Sequence, residues 1–228
     1  MLHTPVTEQT GSDDQTLTLR INEIFFSLQG ETSKTGLPTA FIRLTGCPLR
    51  CHYCDTAYAF HQGEKRTINQ IMQTLTSYRT RHVTVTGGEP LAQKHCQNLL
   101  TILCNEGYDV SLETSGAMDI SAVDQRVVKI VDIKTPGSGE VEKNHLENLS
   151  FLQNTDQIKL VICNRDDYLW AKKLLQDRRL HETCEVLFSP SHDQLEARLL
   201  ADWILEDALP VRFQIQLHKY LWGNVPGK

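Results

Sequence analysis

Short apolar runs rich in β-branched residues alternate along this chain with longer amphipathic stretches. The strand-like runs are TAFIRLTG (39–46), HVTVT (82–86), YDVSLET (108–114), VVKIVDI (127–133), DQIKLVI (156–162), EVLFS (185–189) and VRFQIQ (211–216), with INEIFFSL (21–28) ahead of them. Between them, residues 67–79, 92–106, 144–153, 166–177 and 192–207 carry helical spacing, the period that separates an amphipathic helix from a strand. Thr67 is a natural N-cap, and Asn105 with Gly107 makes an expected helix end. Only the short stretch between the runs at 108–114 and 127–133 leaves its connecting element open.

Strand–helix alternation predicts parallel strands joined by right-handed crossovers. At the roughly 30 residues of a strand–helix–strand unit, the chain from Thr39 to Gln216 holds about six units. That is too few for a closed eight-stranded barrel. The expected fold is α/β, either an open, partial (βα)6 TIM-like barrel or a doubly wound sheet. Both gather functional residues at the carboxyl ends of their strands.

Composition narrows the classes. The net charge of −5 gives no global basic field, so nucleic acid is not an expected partner. No apolar run approaches the ~18 residues of a membrane span. Residues 1–16 are polar and are expected to form a flexible tail, with a single domain over 17–228. The seven cysteines are an odd number in a chain without an export signal pattern, which points to a reducing, cytoplasmic compartment. Cys96, Cys104, Cys163 and Cys184 are scattered and read as small buried apolar side chains.

The candidate chemistry lies where the architecture wants it. The predicted strands are followed by GCPLRCHYCDT (46–56), GGEP (87–90), TSG (114–116), KTPGSGE (134–140), SPSHD (189–193) and LHKY (217–220). Cys47, Cys51 and Cys54 have the spacing Cys-x3-Cys-x2-Cys. A disulfide would leave one of them unpaired. A structural zinc would need a fourth ligand, for which His52 and His61 are the nearest candidates. An iron–sulfur cluster held by three thiolates would keep one iron open. An open metal position marks chemistry, and the amino and carboxylate groups of S-adenosylmethionine could fill it. One electron from the cluster could then split the sulfonium.

The cysteine spacing, with Tyr53 just before the last cysteine and GGEP after the next strand, resembles the radical S-adenosylmethionine superfamily. The resemblance sharpens over INEIFFSLQGET (21–32), AFIRLTGCPLRCHYCDTAY (40–58), TGGEP (86–90), LETSG (112–116), DIKTPGSGE (132–140) and QLHKYLW (216–222). These stretches are similar to the 7-carboxy-7-deazaguanine synthase family. The resemblance implies a partial, open (βα)6 TIM-like barrel of the radical SAM type. It implies a lyase of queuosine biosynthesis that converts 6-carboxy-5,6,7,8-tetrahydropterin to 7-carboxy-7-deazaguanine with loss of ammonia. It also implies a 4Fe–4S cluster, S-adenosylmethionine, Mg2+, a homodimer and an electron donor such as flavodoxin or ferredoxin.

Residue roles follow from the same resemblance. Cys47, Cys51 and Cys54 would hold the cluster, and Thr56 would give an oxygen to magnesium. Tyr53, Cys54, Asp55, Gly88, Asp132, Ile133 and Lys134 would line the cofactor site. Leu28, Gln29, Gly30, Glu31, Arg43, Thr86 and His218 would form the pterin site, with Arg43 on the substrate carboxylate. Taken singly, the residues also allow plainer readings. Arg43 could form a structural ion pair, Glu31 could be a solvated loop carboxylate and His218 a satisfied core histidine. Thr56 could cap a turn, and Lys134 could be a strand-end charge. The family often carries Gln-Pro where this chain has Ser189-Pro190. Two rival functions are a radical activase acting on a partner protein's glycine and a zinc-stabilised binding module.

Overall fold

The computed structural model describes residues 16–228, so the tail expected over 1–16 lies outside the described residues but for Thr16. The strands are β1 (Thr18–Leu28), β2 (Pro38–Leu44), β3 (Glu64–Thr67), β4 (His82–Gly87), β5 (Asp109–Thr114), β6 (Val128–Asp132), β7 (Gln157–Ile162), β8 (Glu185–Pro190) and β9 (Arg212–Phe213). The helices are α1 (Ile68–Leu75), α2 (Cys96–Asn105), α3 (Arg165–Arg178), α4 (Leu180–Thr183), α5 (Ala197–Glu206) and α6 (Leu217–Trp222). One sheet runs in the order β3-β1-β2-β4-β5-β6-β7-β8-β9. From β2 to β9 every pairing is parallel. β1 is antiparallel to both β2 and β3. The two ends of the sheet do not pair, which is the open, partial barrel expected.

The two faces of the barrel strands differ by parity, as the pleat requires. Ile42, Leu44, Val83, Val85, Val110, Leu112, Ile158, Leu160, Val186 and Phe188 face outward into the main apolar core. There they meet Ile71 and Leu75 of α1, Leu99 and Leu103 of α2, Ala171 and Leu175 of α3, and Leu200 of α5. The alternate positions face the lumen and are largely polar: Arg43, Thr86, Glu113, Asp132, Lys159 and Ser189.

Local signals held at one helix start and one helix end. Thr67 caps α1 with a reciprocal capping box to Gln70, and Gly107 follows α2 at φ +77°. Elsewhere the structure corrects the pattern. Residues 144–153 form short 3₁₀ turns rather than an α-helix. There the side chain of buried Asn148 binds Ile120 N, Gly116 O and Met118 O, which ties the segment to the connection between β5 and β6. The helix expected at 192–207 starts only at Ala197, after a turn in which Asp193 has φ 65°. The strand expected over 211–216 shrinks to two residues. Beyond it the backbone turns to the β1–β2 loop, where Leu217 N donates to Gly30 O at 2.9 Å. β3 and α6 are additions, LHKY lying in α6 rather than in a loop. No helix connects β5 to β6. Cys96, Cys163 and Cys184 are buried as expected, whereas Cys104 is half-buried.

Candidate active site

A cavity of about 240 Å³ occupies the lumen between the cysteine loop and the β1–β2 loop. Of the residues singled out by sequence, Leu28, Gln29, Gly30, Glu31, Arg43, Cys47, Cys51, Tyr53, Cys54, Asp55, Thr56, Thr86, Gly88, Asp132, Lys134 and His218 all line it. Ile133 does not: it is 3% exposed and packs into the outer core. It is one residue out of phase with Asp132, so the pleat turns it to the helical wall.

The cysteine loop is fastened to the barrel rim by its backbone. Gly46 N donates to Ala59 O, and Gly46 O accepts from Glu89 N at 2.7 Å. Arg50 lies 4.3 Å over the Phe60 ring and donates to the carbonyls of Cys47 and Leu49. Gly88 is required by this closeness. A Cβ there would overlap the Gly46 carbonyl oxygen and sit 2.9 Å from Cys47 Cβ. Glu89 is fully buried and binds Thr114 Oγ1, Ser115 N and Leu91 N. It thereby ties GGEP to TSG. The loop after β6 is held from below by buried Asp167, which accepts from Thr135 Oγ1 and Gly137 N. Ser138 O in turn takes His52 N at 3.0 Å.

Cys47, Cys51 and Cys54 are free and half-buried. Burial pushes the Cys51 thiol up to about 11 against the pull of Lys134, and burial raises Cys47 as well. Among the described residues, no three His, Cys, Asp or Glu side chains are gathered to grip one metal ion as they stand. The three thiols instead ring one end of the cavity. His52 and His61, the candidate fourth ligands of a zinc site, are exposed and do not line it. Thr56 Oγ1 is 3.9 Å from Cys54 Sγ, and its side chain does not cap the turn it precedes.

Beside the thiols, Lys134 Nζ is 3.0 Å from Asp132 Oδ2 and 5.9 Å from the Tyr53 ring centroid. The Tyr53 hydroxyl and Asp132 Oδ1 are buried with no partner. Burial, with the Asp132 charge, pushes the Tyr53 hydroxyl far above its ordinary value. Each unpaired buried polar atom costs about 1–3 kcal/mol, a cost that the polar groups of a bound ligand would remove. Three thiols, a cation and two orphaned polar atoms in one wall fit a cluster with S-adenosylmethionine against it.

The opposite end is a network of charge. Glu31 pairs with Lys159 and accepts from Gln216 Nε2 at 2.7 Å. Burial works to raise the Glu31 carboxyl, but the Lys159 charge and the hydrogen bonds from Lys159 and Gln216 together outweigh it and hold the group below its ordinary value. Half-buried Glu113 accepts from Thr86 Oγ1 at 2.9 Å and from Gln29 Nε2 at 3.3 Å. Burial and the nearby Glu31 push its carboxyl up. His218 rests on Gly30, where a Cβ would overlap Nδ1 and lie 3.0 Å from Cγ. Burial lowers its basicity.

Arg43 combines both of its expected readings. Its Nε donates to Glu23 Oε1 at 2.7 Å, and its guanidinium lies between Phe25 and Tyr58 at 5.6 and 5.9 Å. Tyr58 OH binds the same Glu23 oxygen at 2.9 Å. Asp55 is also engaged, by Lys219 Nζ at 2.9 Å and Gln216 Nε2 at 3.2 Å. Sequence reasoning passed over Glu23, Glu113, Lys159, Gln216 and Lys219. Glu113 and Lys159 carried a readable signal: each is a charged residue at an inward register position of a strand whose outward positions hold core residues such as Leu112 and Ile158.

Residues 41–132 match the profile of the Radical SAM superfamily. A 7-carboxy-7-deazaguanine synthase of Chlorobaculum tepidum is 46% identical over 208 residues, covering 90% of this chain and 94% of its own. That of Koribacter versatilis is 41% identical, covering 90% and 97%. The fold is shared with the crystal structure of QueE from Escherichia coli, at TM-score 0.75 and 24% identity, covering 91% of this chain and 100% of that one. It is shared more distantly with Streptococcus suis SuiB bound to S-adenosylmethionine, at TM-score 0.52 and 12% identity over 75% of this chain and 45% of that one. Identity at this level, sustained over nine tenths of the length, places the chain in the 7-carboxy-7-deazaguanine synthase family, within the radical SAM superfamily.

Proposed function

We propose that this chain converts 6-carboxy-5,6,7,8-tetrahydropterin to 7-carboxy-7-deazaguanine and ammonia. The single observation that carries the reading is one cavity with three free thiols at one end and a buried polar floor with an arginine at the other. Family membership implies a 4Fe–4S cluster and S-adenosylmethionine. When bound, they supply one-electron cleavage of the sulfonium and abstraction of a substrate hydrogen. The overall conversion is redox-neutral, since substrate equals product plus ammonia.

The chain's own residues position and enclose. Cys47, Cys51 and Cys54 hold the cluster. Tyr53, Asp132 and Lys134 would face the cofactor, and Gly88 keeps GGEP close against the cysteine loop. Arg43 has its Nε committed to Glu23, which leaves the two terminal nitrogens to grip the substrate carboxylate as a fork. Gln29, Glu31, Thr86, Glu113 and His218 offer donors and acceptors to the edges of a planar, nitrogen-rich ring. Asp55 holds α6 across the cavity through Lys219. The ring is thereby fixed in one pose while water is excluded.

The proposal extends to Mg2+ with Thr56 as a hydroxyl ligand, to a flavodoxin or ferredoxin as electron donor, and to a cytoplasmic homodimer with one catalytic domain over 17–228. Among the described residues no helix is long and apolar enough to cross a membrane. The deciding assay is anaerobic: reconstituted protein, reductant, S-adenosylmethionine, Mg2+ and the carboxypterin. Formation of 7-carboxy-7-deazaguanine is expected. Its absence, with the cluster intact and reduced, would reject the reading.

A further inference from the structure

We propose that Gln214, which does not line the cavity, is a positioning residue for the pterin floor: its carboxamide locks Thr32 in a left-handed conformation and through it aims Gln29 and Glu31. The inference rests on the pterin reading of that floor. Thr32 has φ 72° and is 3% exposed. A β-branched residue rarely adopts that region unless its surroundings impose it. Within the turn Lys34 N donates to Thr32 Oγ1, and Thr35 N and Thr35 Oγ1 donate to Thr32 O; the Thr32 N–H is held from outside the turn by one side chain. Thr32 N donates to Gln214 Oε1 at 2.7 Å, and Gln214 Nε2 donates back to Thr32 O at 2.8 Å. The same Nε2 reaches Thr35 Oγ1 at 2.9 Å.

Gln214 is itself rigidly placed. Its backbone N donates to Phe188 O at 3.0 Å, and its carbonyl accepts from Ser189 Oγ at 2.9 Å. It is 7% exposed, so no bulk water stands ready to replace it. Loss of the carboxamide leaves the Thr32 N–H buried without a partner, while Thr32 O keeps its bonds from Thr35 N and Thr35 Oγ1. Glu31 is the next residue up the chain, and its N–H donates to Gln29 Oε1 at 3.1 Å. A turn at Thr32 that relaxes therefore carries both floor residues with it. The cysteine loop and GGEP share no contact with Gln214 and would stay in place.

The test uses full-length, anaerobically reconstituted protein carrying Gln214→Met, similar in length but unable to pair, and Gln214→Glu, which keeps the acceptor alone. Pterin KM, kcat and the change that S-adenosylmethionine causes in the reduced-cluster EPR spectrum are read together. For Gln214→Met the expected result is a KM raised about tenfold, with kcat within about threefold and the EPR change intact. Gln214→Glu should fall between it and wild type. Adding Thr32→Gly to Gln214→Met should recover part of the KM, because glycine takes a positive φ without strain. An unchanged KM, a KM and EPR response lost together, or no recovery with glycine overturns the inference. Should neither variant fold, amide exchange in the wild type decides: Thr32 must be protected well beyond its exposed loop neighbours, and free exchange there overturns it equally. Wild type that makes no deazaguanine would reject the pterin reading itself. Wild-type turnover with a variant KM left unmoved rejects only the role of Gln214.

Discussion

Arg43 shows how one side chain serves stability and recognition together. Glu23 takes its Nε at 2.7 Å and two rings flank its plane, so the guanidinium is oriented before any ligand arrives. Replacement by Met should raise the pterin KM by about 10–100-fold, the worth of a charged hydrogen-bonded pair. Lys should restore only part of that, since a point charge cannot form the fork. Steady-state kinetics checks both, and a KM within a factor of about two of wild type for Arg43→Met would contradict the assignment. Gly88 makes a sharper case. An added Cβ must displace Gly46 O or the Cys47 side chain, so Gly88→Ala should abolish the EPR response to S-adenosylmethionine while far-UV circular dichroism stays native. The three cysteines were legible in sequence because their chemistry is written in their type and spacing, and Arg43 and Gly88 were named through the family resemblance. Glu23 and Tyr58 were not, because they meet Arg43 across strands and a loop, 20 residues before it and 15 after it.

At the scale of elements, the β1–β2 loop is more than a hairpin turn. Its backbone and side chains reach β4 through Gln29–Thr84, β5 through Lys34–Asp109, β7 through Ser33–Gln157 and Glu31–Lys159, and the segment after β9 through Gln214. It closes one end of the lumen and forms the floor of the site. The short sequence QGETSKTG (29–36) reads as a polar loop, and nothing local announces that Gln29, Gly30 and Thr32 will be buried. A different link joins β6 to the start of β7. Lys129 Nζ and Asp156 Oδ2 are 2.9 Å apart and almost wholly buried, and Asp156 also accepts from the N–H groups of Lys129 and Gln153. Asp156→Ala should destabilise the fold by about 3–5 kcal/mol, because a buried ammonium loses its partner. The denaturant midpoint reports the loss. Neither residue lines the cavity, so kcat per folded molecule should hold; a fall in kcat with unchanged stability would disprove this division of roles.

For the molecule as a whole, the apolar core lies between the sheet and its helices and includes none of the three motif cysteines. Stability should therefore depend little on the cluster, unlike small metal-folded domains. Chelation of iron under anaerobic conditions should leave far-UV circular dichroism and cooperative thermal unfolding in place, and amide protection should fall only around residues 46–60. Global unfolding on iron removal would contradict this account.

Periodicity left the open barrel and the doubly wound sheet both standing, and the family resemblance chose between them; the sequence by itself determined the α/β class and the loops that carry chemistry. Those properties rest on local periodicity and on residue types whose donor chemistry is intrinsic. Only the tertiary structure decided which polar groups meet. It turned Ile133 to the outer wall and buried Gln29, Gly30 and Thr32 of the 29–36 loop. It also set Gln214 beneath Thr32, 182 residues away in the chain. The reason is physical: a hydrogen bond between distant residues depends on strand register and on where the sheet stops, and neither is encoded in the few residues that make the bond.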